Sequence, residues 1–180
     1  ILMANYITML RIILILPILY YLTPEASLSN WFALLLFITA GLTDHFDGYV
    51  ARKTETQSSF GALLDLVADK LLIIMTISYL ISYSSNVFLL LPSLIIIFRE
   101  VVISSIRQFI TESIGSNPIE VSLLAKSKTT LQIFAISFLI ISPNFGQYFL
   151  LFTIFLFWLA AYVSIHSLYG YLKTYGNLLK

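Results

Sequence analysis

The chain has 180 residues, of which 59% are hydrophobic and 11% are charged, and its formal net charge is +1. A soluble domain of this size normally has about 25% charged residues, so this chain has too little polar surface to cover a water-soluble globule. Lipid must therefore be the main solvent of its outer face, with no room left for a sizeable soluble domain. Cysteine is absent, which excludes disulfides and thiolate metal sites.

Six apolar segments follow one another along the chain. Backbone groups in lipid must be satisfied inside their own segment, and the segments are too long for barrel strands, so we predict membrane-spanning helices. The first segment lacks a small-residue cleavage site, and we expect a retained span rather than a signal peptide. The sequence thus predicts an all-α, polytopic membrane protein with six transmembrane helices, forming a single membrane-embedded domain over residues 1–180. The segments run approximately over 7–22, 31–50, 60–83, 87–110, 121–141 and 148–172.

Positive charges mark one side of this predicted bundle. The loops after the first, third and fifth segments contain no Lys or Arg, whereas eight cations lie in the other loops, in the segment ends beside them, or near the ends of the chain. Because positively charged loops stay cytoplasmic, we expect a multi-pass protein of the cell membrane with both termini facing the cytoplasm. The cations on that side are Arg11, Arg52, Lys53, Arg107, Lys126, Lys128, Lys173 and Lys180.

Four aspartates lie at the cytoplasmic ends of the second and third predicted helices. Asp44 and Asp47 are three residues apart near the end of the second helix, and Asp65 and Asp69 are four apart near the start of the third. Spacings of three and four place each pair on one helix face. Since a short connection makes the two helices antiparallel neighbours, all four carboxylates can converge at one depth.

Clustered acids in a membrane need compensating charge, because an ionised Asp at the centre of a span costs roughly 2.5–3.5 kcal/mol and like charges repel. Two divalent cations would neutralise four carboxylates, and paired metals recur in phosphoryl transfer. The alternatives are interhelical ion pairs, solvated helix ends, or the acidic path of a small cation transporter. A transport path does not explain the small residues beside the acids, Gly48, Ala51 and Gly61, which would let a bulky ligand lie against the backbone.

A second cluster is basic and belongs to the fourth and fifth predicted helices. Arg99 lies about two turns inside its span, where an unpaired guanidinium is costly and a phosphate would offer charge-assisted partners. We therefore favour an acceptor-phosphate site at Arg99 and Arg107. As alternatives, Arg99 pairs with Glu100 or an acid of the aspartate cluster, and Arg107 extends to the interface. Lys126 and Lys128 either join the phosphate site or anchor the cytoplasmic side.

The acidic segment resembles the complete signature of the CDP-alcohol phosphatidyltransferases, in the run Asp44-x2-Asp47-Gly48-x2-Ala51-Arg52-x8-Gly61-x3-Asp65-x3-Asp69. Eight fixed positions with every spacing intact make this signal highly specific. The resemblance implies the fold of that family, with six transmembrane helices, commonly a homodimer, and a metal site open toward the cytoplasm. It also implies two divalent cations, Mg²⁺ or Mn²⁺, as cofactors.

Carried over residue by residue, the resemblance implies a role for each matching position. Asp44, Asp47, Asp65 and Asp69 would bind the metal ions, and Asp69 would also act as general base. His45 stands between two predicted ligands, but on a helix it faces away from the side that Asp44 and Asp47 share. The CDP-diacylglycerol donor would contact Asn5, Thr8, Gly48, Ala51, Arg52, Ser58 and Gly61.

Three further matches resemble members of the family that use glycerol 3-phosphate as acceptor. They cover residues 5–11, 95–107 and 126–132. The implied reaction transfers the phosphatidyl group of CDP-diacylglycerol to the 1-hydroxyl of glycerol 3-phosphate, giving phosphatidylglycerol phosphate and CMP. Inositol phosphate, serine and phosphatidylglycerol are the alternative acceptors. The expected partners are the two substrates, the lipid bilayer and a second copy of the chain, and we expect no nucleic acid.

Overall fold

The computed structural model describes residues 2–23, 29–54, 59–114 and 123–175, with side chains described over 8–23, 30–42, 61, 64, 67–68, 70–110 and 129–173. Within these residues all regular secondary structure is helical, which confirms the predicted all-α architecture. A short 3-10 turn, Ser142–Asn144, separates the last two helices. The helices are α1 (Leu2–Tyr21), α2 (Ser29–Thr54), α3 (Ser59–Ser82), α4 (Val87–Ile114), α5 (Leu123–Ile141) and α6 (Gln147–Tyr175).

The helices begin and end near the polar breaks in the sequence. Asn86 caps α4, since its Oδ1 accepts a hydrogen bond from the backbone N–H of Phe88 at 2.9 Å. Pro143 lies two residues after the end of α5, and its nitrogen cannot donate a further backbone hydrogen bond. Some helices extend past the predicted apolar segments, α2 as far as Thr54 and α4 as far as Ile114, because backbone hydrogen bonding continues into polar residues.

The six helices form two three-helix units. In the first unit α1 packs along both α2 and α3, and in the second α6 packs along both α4 and α5. Contacts of α2 with α5, and of α3 with α4 and α5, join the two units. In the described residues α4 and α5 make little direct backbone contact with each other, although both border α3 and α6. These two helices are therefore held apart by their common neighbours.

One buried stripe on each helix builds the core. The buried positions recur every three or four residues, which is the spacing of a single helix face. Large side chains with exposed fractions of 2% or less fill the centre of the bundle, among them Ile18, Phe37, Ile77, Ile136 and Phe157. The register of these stripes shows which face of each helix is turned inward.

The outer surface of the bundle is apolar. Leu16, Phe98 and Phe155 lie within helices, with exposed fractions of 70%, 66% and 60%. Soluble monomers rarely expose apolar surface of this extent. Val87–Ile110 and Gln147–Lys173 are long and apolar enough to cross a membrane. The other four helices contain apolar stretches of 10–17 residues, namely Thr8–Tyr21, Asn30–Leu42, Lys70–Ser82 and Thr129–Asn144, the last running into the 3-10 turn.

Aromatic side chains cluster at the helix ends opposite the cations. The ring of Phe145 stacks on Phe149 with centroids 4.5 Å apart and meets Trp31 edge-on at 6.5 Å. Tyr21 stacks on Phe32 at 5.8 Å. Aromatic residues are enriched at membrane–water interfaces, while Lys and Arg mark the cytoplasmic side. One end of the bundle is thus rich in aromatic residues and the other in cations, as in a protein embedded in a membrane.

Candidate active site

The buried stripe of α2 leads into the first aspartate pair. Its described members recur at spacings of three and four residues: Asn30, Ala33, Phe37 and Ala40. The helix continues without interruption to Thr54, and the same spacing next reaches positions 44, 47 and 51. The predicted site positions on α2 therefore continue the sequence spacing of its buried stripe, and their side chains lie outside the described residues.

The second aspartate pair has the corresponding place on α3. Ala68, Leu72 and Thr76 are buried on this helix. Asp65 lies three residues before Ala68, and Asp69 lies three residues before Leu72, which is the spacing of one helix face. Both aspartate pairs thus follow the spacing of a buried stripe, on two helices that contact each other.

Helix α3 connects the parts of the predicted site. It contacts α1, α2, α4 and α5, which are the four other helices that carry predicted site residues. Asp69 lies about 15 Å along α3 from its first residue, and Asp44 lies about 15 Å before the end of α2. Because consecutive helices run antiparallel, the two aspartates come to a similar depth.

A buried arginine lies on α1. Arg11 has an exposed fraction of 1% and Thr8 one of 3%, and both belong to the stripe that continues through Ile15, Ile18 and Leu22. Helix α1 packs along α2 and α3, the helices of the two aspartate pairs. Arg11 lies about 14 Å from the start of α1, a depth comparable to that of the deeper aspartates. Since a buried guanidinium stays charged, it adds positive charge to this part of the core.

Five polar side chains form a layer that joins α4, α5 and α6. Arg99, which is 4% exposed, donates from Nη1 to Oε1 of Glu100 at 3.3 Å and from Nη2 to Oγ of Ser167 at 2.9 Å. Gln132, which is 1% exposed, donates from Nε2 to the same oxygen of Glu100 and to Oγ of Ser164, both at 3.2 Å. We call these residues the polar layer. Pairing with Glu100, one of the alternatives for Arg99, is confirmed, and binding of a phosphate by Arg99 stays a prediction.

Arg107 lies on α4 about two turns after Glu100. It is exposed, although Ile103 and Ile110 on the same side of α4 are buried. Side chains on a helix lean toward its N-terminus, which favours a direction of Arg107 toward the polar layer. On α5, Lys128 precedes Gln132 by four residues, about one helical turn.

Several predicted site residues have side chains outside the described residues, and Ser58 lies outside them altogether. Metal ligation, general-base action, donor binding and phosphate binding by these residues stay predictions. They are Asn5, Asp44, Asp47, Gly48, Ala51, Arg52, Ser58, Asp65, Asp69, Lys126 and Lys128.

A family model described as CDP-alcohol phosphatidyltransferase matches residues 1–165. The chain belongs to this family. A protein of Rickettsia bellii is 38% identical over 173 residues, which cover 95% of this chain and 93% of that protein. A protein of Haemophilus influenzae is 35% identical over 177 residues, covering 97% and 94%. One of Wigglesworthia glossinidia brevipalpis is 39% identical over 132 residues, covering 72% and 71%. All three are named CDP-diacylglycerol–glycerol-3-phosphate 3-phosphatidyltransferase.

Family membership confirms the prediction of a phosphatidyltransferase. Its members are membrane proteins, and the apolar outer surface of this bundle agrees with that environment. No site role was predicted for two polar residues that lie in the core, Arg11 and Gln132. Arg11 was a marker of topology and part of the matching segment 5–11, and Gln132 was part of the matching segment 126–132. Both occupy positions of a helical stripe whose other members are mostly apolar, and that pattern was the available signal.

Proposed function

We propose that this chain transfers the phosphatidyl group of CDP-diacylglycerol to glycerol 3-phosphate, releasing CMP and forming phosphatidylglycerol phosphate. The observation that carries the proposal is the four-aspartate signature, whose sequence spacing continues that of the buried stripes of α2 and α3. The names of relatives that align with nearly the whole chain support glycerol 3-phosphate as the acceptor.

The donor set at this site fits divalent cations. Asp44, Asp47, Asp65 and Asp69 are the only aspartates of the chain, and their helical spacing on two neighbouring helices suits carboxylate ligation of two Mg²⁺ or Mn²⁺ ions. Such ions, when bound, supply Lewis-acid stabilisation of the charge that develops on the departing CMP. Asp69 would accept the proton of the acceptor hydroxyl as general base.

Two regions would hold the substrates. The phosphate of the acceptor would bind beside α4, where Arg107 is exposed, with Lys126 and Lys128 on α5 and the deeper Arg99 adding positive potential. Thr8 supports a donor contact from α1, since it lies in the stripe that faces α2 and α3. The acyl chains of the donor would remain in the bilayer. The nucleotide part of the donor would contact Asn5, Thr8, Gly48, Ala51, Arg52, Ser58 and Gly61.

The proposed arrangement in the membrane has six spans, with both termini and the active site facing the cytoplasm. Cations at one end of the bundle and aromatic rings at the other support this orientation. A homodimer is proposed from family membership, and crosslinking of the purified protein in detergent would test it.

The direct test is CMP release from CDP-diacylglycerol by purified protein, with glycerol 3-phosphate, inositol phosphate, serine or phosphatidylglycerol supplied separately. Among the four acceptors, we expect only glycerol 3-phosphate to support CMP release, and we expect CMP release to stop after chelation of divalent cations.

Arg107→Ala should raise the KM for glycerol 3-phosphate at least about tenfold, because it removes a charge-assisted hydrogen bond to the phosphate. The KM for CDP-diacylglycerol should stay nearly unchanged. Lys173→Ala is the matched control. Turnover with another acceptor would contradict glycerol 3-phosphate as the substrate. Equal changes in both KM values would contradict the assignment of Arg107 to the acceptor phosphate.

A further inference from the structure

The carboxylate of Glu100 is held in place by two buried donors. Nη1 of Arg99 and Nε2 of Gln132 both donate to its Oε1, at 3.3 and 3.2 Å. The side chain of Arg99 is 5% exposed and that of Glu100 is 13% exposed. Hydrogen bonds to charged groups are stronger than neutral ones, so the orientation of this carboxylate is well determined. Part of the Glu100 side chain nevertheless remains accessible.

Glu100 faces the same side of α4 as Arg107. The two residues are seven positions apart, which corresponds to two helical turns and about 10 Å along the axis. Arg107 is exposed and leans toward the N-terminus of the helix, and hence toward Glu100. The contact between Glu100 and Gln132 bridges α4 and α5, the two helices that are held apart. A three-carbon ligand with its phosphate at Arg107 would extend toward this bridge.

The bridge is rich in hydrogen-bond acceptors. An ionised carboxylate only accepts, and Oε1 of Gln132 is buried with no hydrogen-bond partner among the residues that the structure describes. Buried polar atoms are normally paired, so this bridge offers more acceptors than the described residues use, and the partly exposed carboxylate of Glu100 is the acceptor that a donating ligand can reach. Cationic positions on one side and acceptors on the other match a molecule with a phosphate at one end and hydroxyl groups at the other.

We propose that Glu100 binds the 2-hydroxyl of the acceptor and thereby selects a polyol phosphate over a simple hydroxyalkyl phosphate. Arg99 and Gln132 are positioning residues that hold the carboxylate for this contact. The proposal rests on the proposed function, which supplies glycerol 3-phosphate as the acceptor. It adds a specificity-determining residue that lies outside the aspartate signature.

The test compares kcat/KM for glycerol 3-phosphate with that for 3-hydroxypropyl phosphate, which retains the primary hydroxyl and lacks the 2-hydroxyl. We expect the unmodified protein to prefer glycerol 3-phosphate by roughly 10- to 100-fold, the effect of one charge-assisted hydrogen bond. Glu100→Gln keeps the shape of the side chain and an oxygen that can accept the hydrogen bond from Arg99. It should reduce the preference for glycerol 3-phosphate about tenfold. Gln132→Met should also reduce the preference, because it removes one of the donors that orient Glu100.

Ser93→Ala is the matched control. Ser93 is buried on α4 and its Oγ donates within the helix to the carbonyl of Leu89 at 2.8 Å, so its loss should leave the preference unchanged. If Glu100→Gln slows both acceptors by the same factor, Glu100 is only the counter-ion of Arg99 and the inference is wrong. If that variant does not fold, an unchanged preference in Gln132→Met overturns the inference instead. Failure of the proposed function would look different, since the unmodified protein would then release no CMP with glycerol 3-phosphate.

Discussion

The stability of the polar layer can be tested by removing the acid from its ion pair. Glu100→Leu leaves the guanidinium of Arg99, which is only 5% exposed at the side chain, without its anionic partner. Breaking a buried ion pair in this way costs about 3–5 kcal/mol. Arg99 keeps its bond to Ser167 and Gln132 keeps its bond to Ser164, so we expect the lower end of that range. At about 2–4 °C per kcal/mol for a chain of this length, the Tm should fall by about 6–12 °C.

The assay is thermal unfolding of the purified protein in mild detergent, with the variants arranged as a double-mutant cycle. Arg99→Met combined with Glu100→Leu removes both charges, and an apolar pair of similar volume should restore most of the lost stability. We expect a coupling free energy of about 2 kcal/mol, since the two residues are in direct contact. Val101→Leu, on the exposed side of α4, controls for general effects of substitution. A Tm for Glu100→Leu that equals that of the unmodified protein, or a double variant as unstable as the single one, would refute the reasoning.

Three further outcomes are expected. Phe157→Ala should lower the free energy of unfolding by about 3–5 kcal/mol, because Phe157 is fully buried. Phe155→Ala, at a 60% exposed position, should change it little. Equal effects of the two variants in thermal unfolding would contradict the assigned core. Asp69→Asn should abolish CMP release without changing the Tm, and Glu112→Gln is the control. A rate above about a tenth of that of the unmodified protein would exclude the general-base role of Asp69. The chain has no cysteine, so Lys173→Cys and Ser85→Cys can report topology. In sealed right-side-out vesicles, an impermeant maleimide should label Ser85→Cys alone, and labelling of Lys173→Cys would contradict cytoplasmic termini.

The helices could be predicted because their signals are local. An apolar segment bounded by turn residues specifies a helix in lipid with little reference to the rest of the chain. The break at 84–86 and the one at Ser142–Asn144 were both visible as polar or proline-containing stretches. Helix ends were less well predicted, as α4 shows by continuing to Ile114, since hydropathy reports the apolar part of a helix and not the extent of its backbone hydrogen bonding.

The aspartate signature was predictable for a related reason. Spacings of three and four are properties of a single helix, so they place Asp44 with Asp47 and Asp65 with Asp69 before any packing is known. The buried residues described on α2 and α3 have the same spacing as these pairs. The partners of Arg99 could not be predicted in the same way, because Ser167 lies 68 residues away along the chain.

The sequence by itself determined three things: the helical class, the family, and the side of the membrane on which the cations are expected. Each of them depends on composition or on spacing within one or two helices. Only the tertiary structure decided that Arg11 is buried, that Glu100 receives hydrogen bonds from both Arg99 and Gln132, and that Arg107 is exposed. The physical reason is that burial and pairing depend on which faces of distant helices meet, and that is a property of the packed bundle.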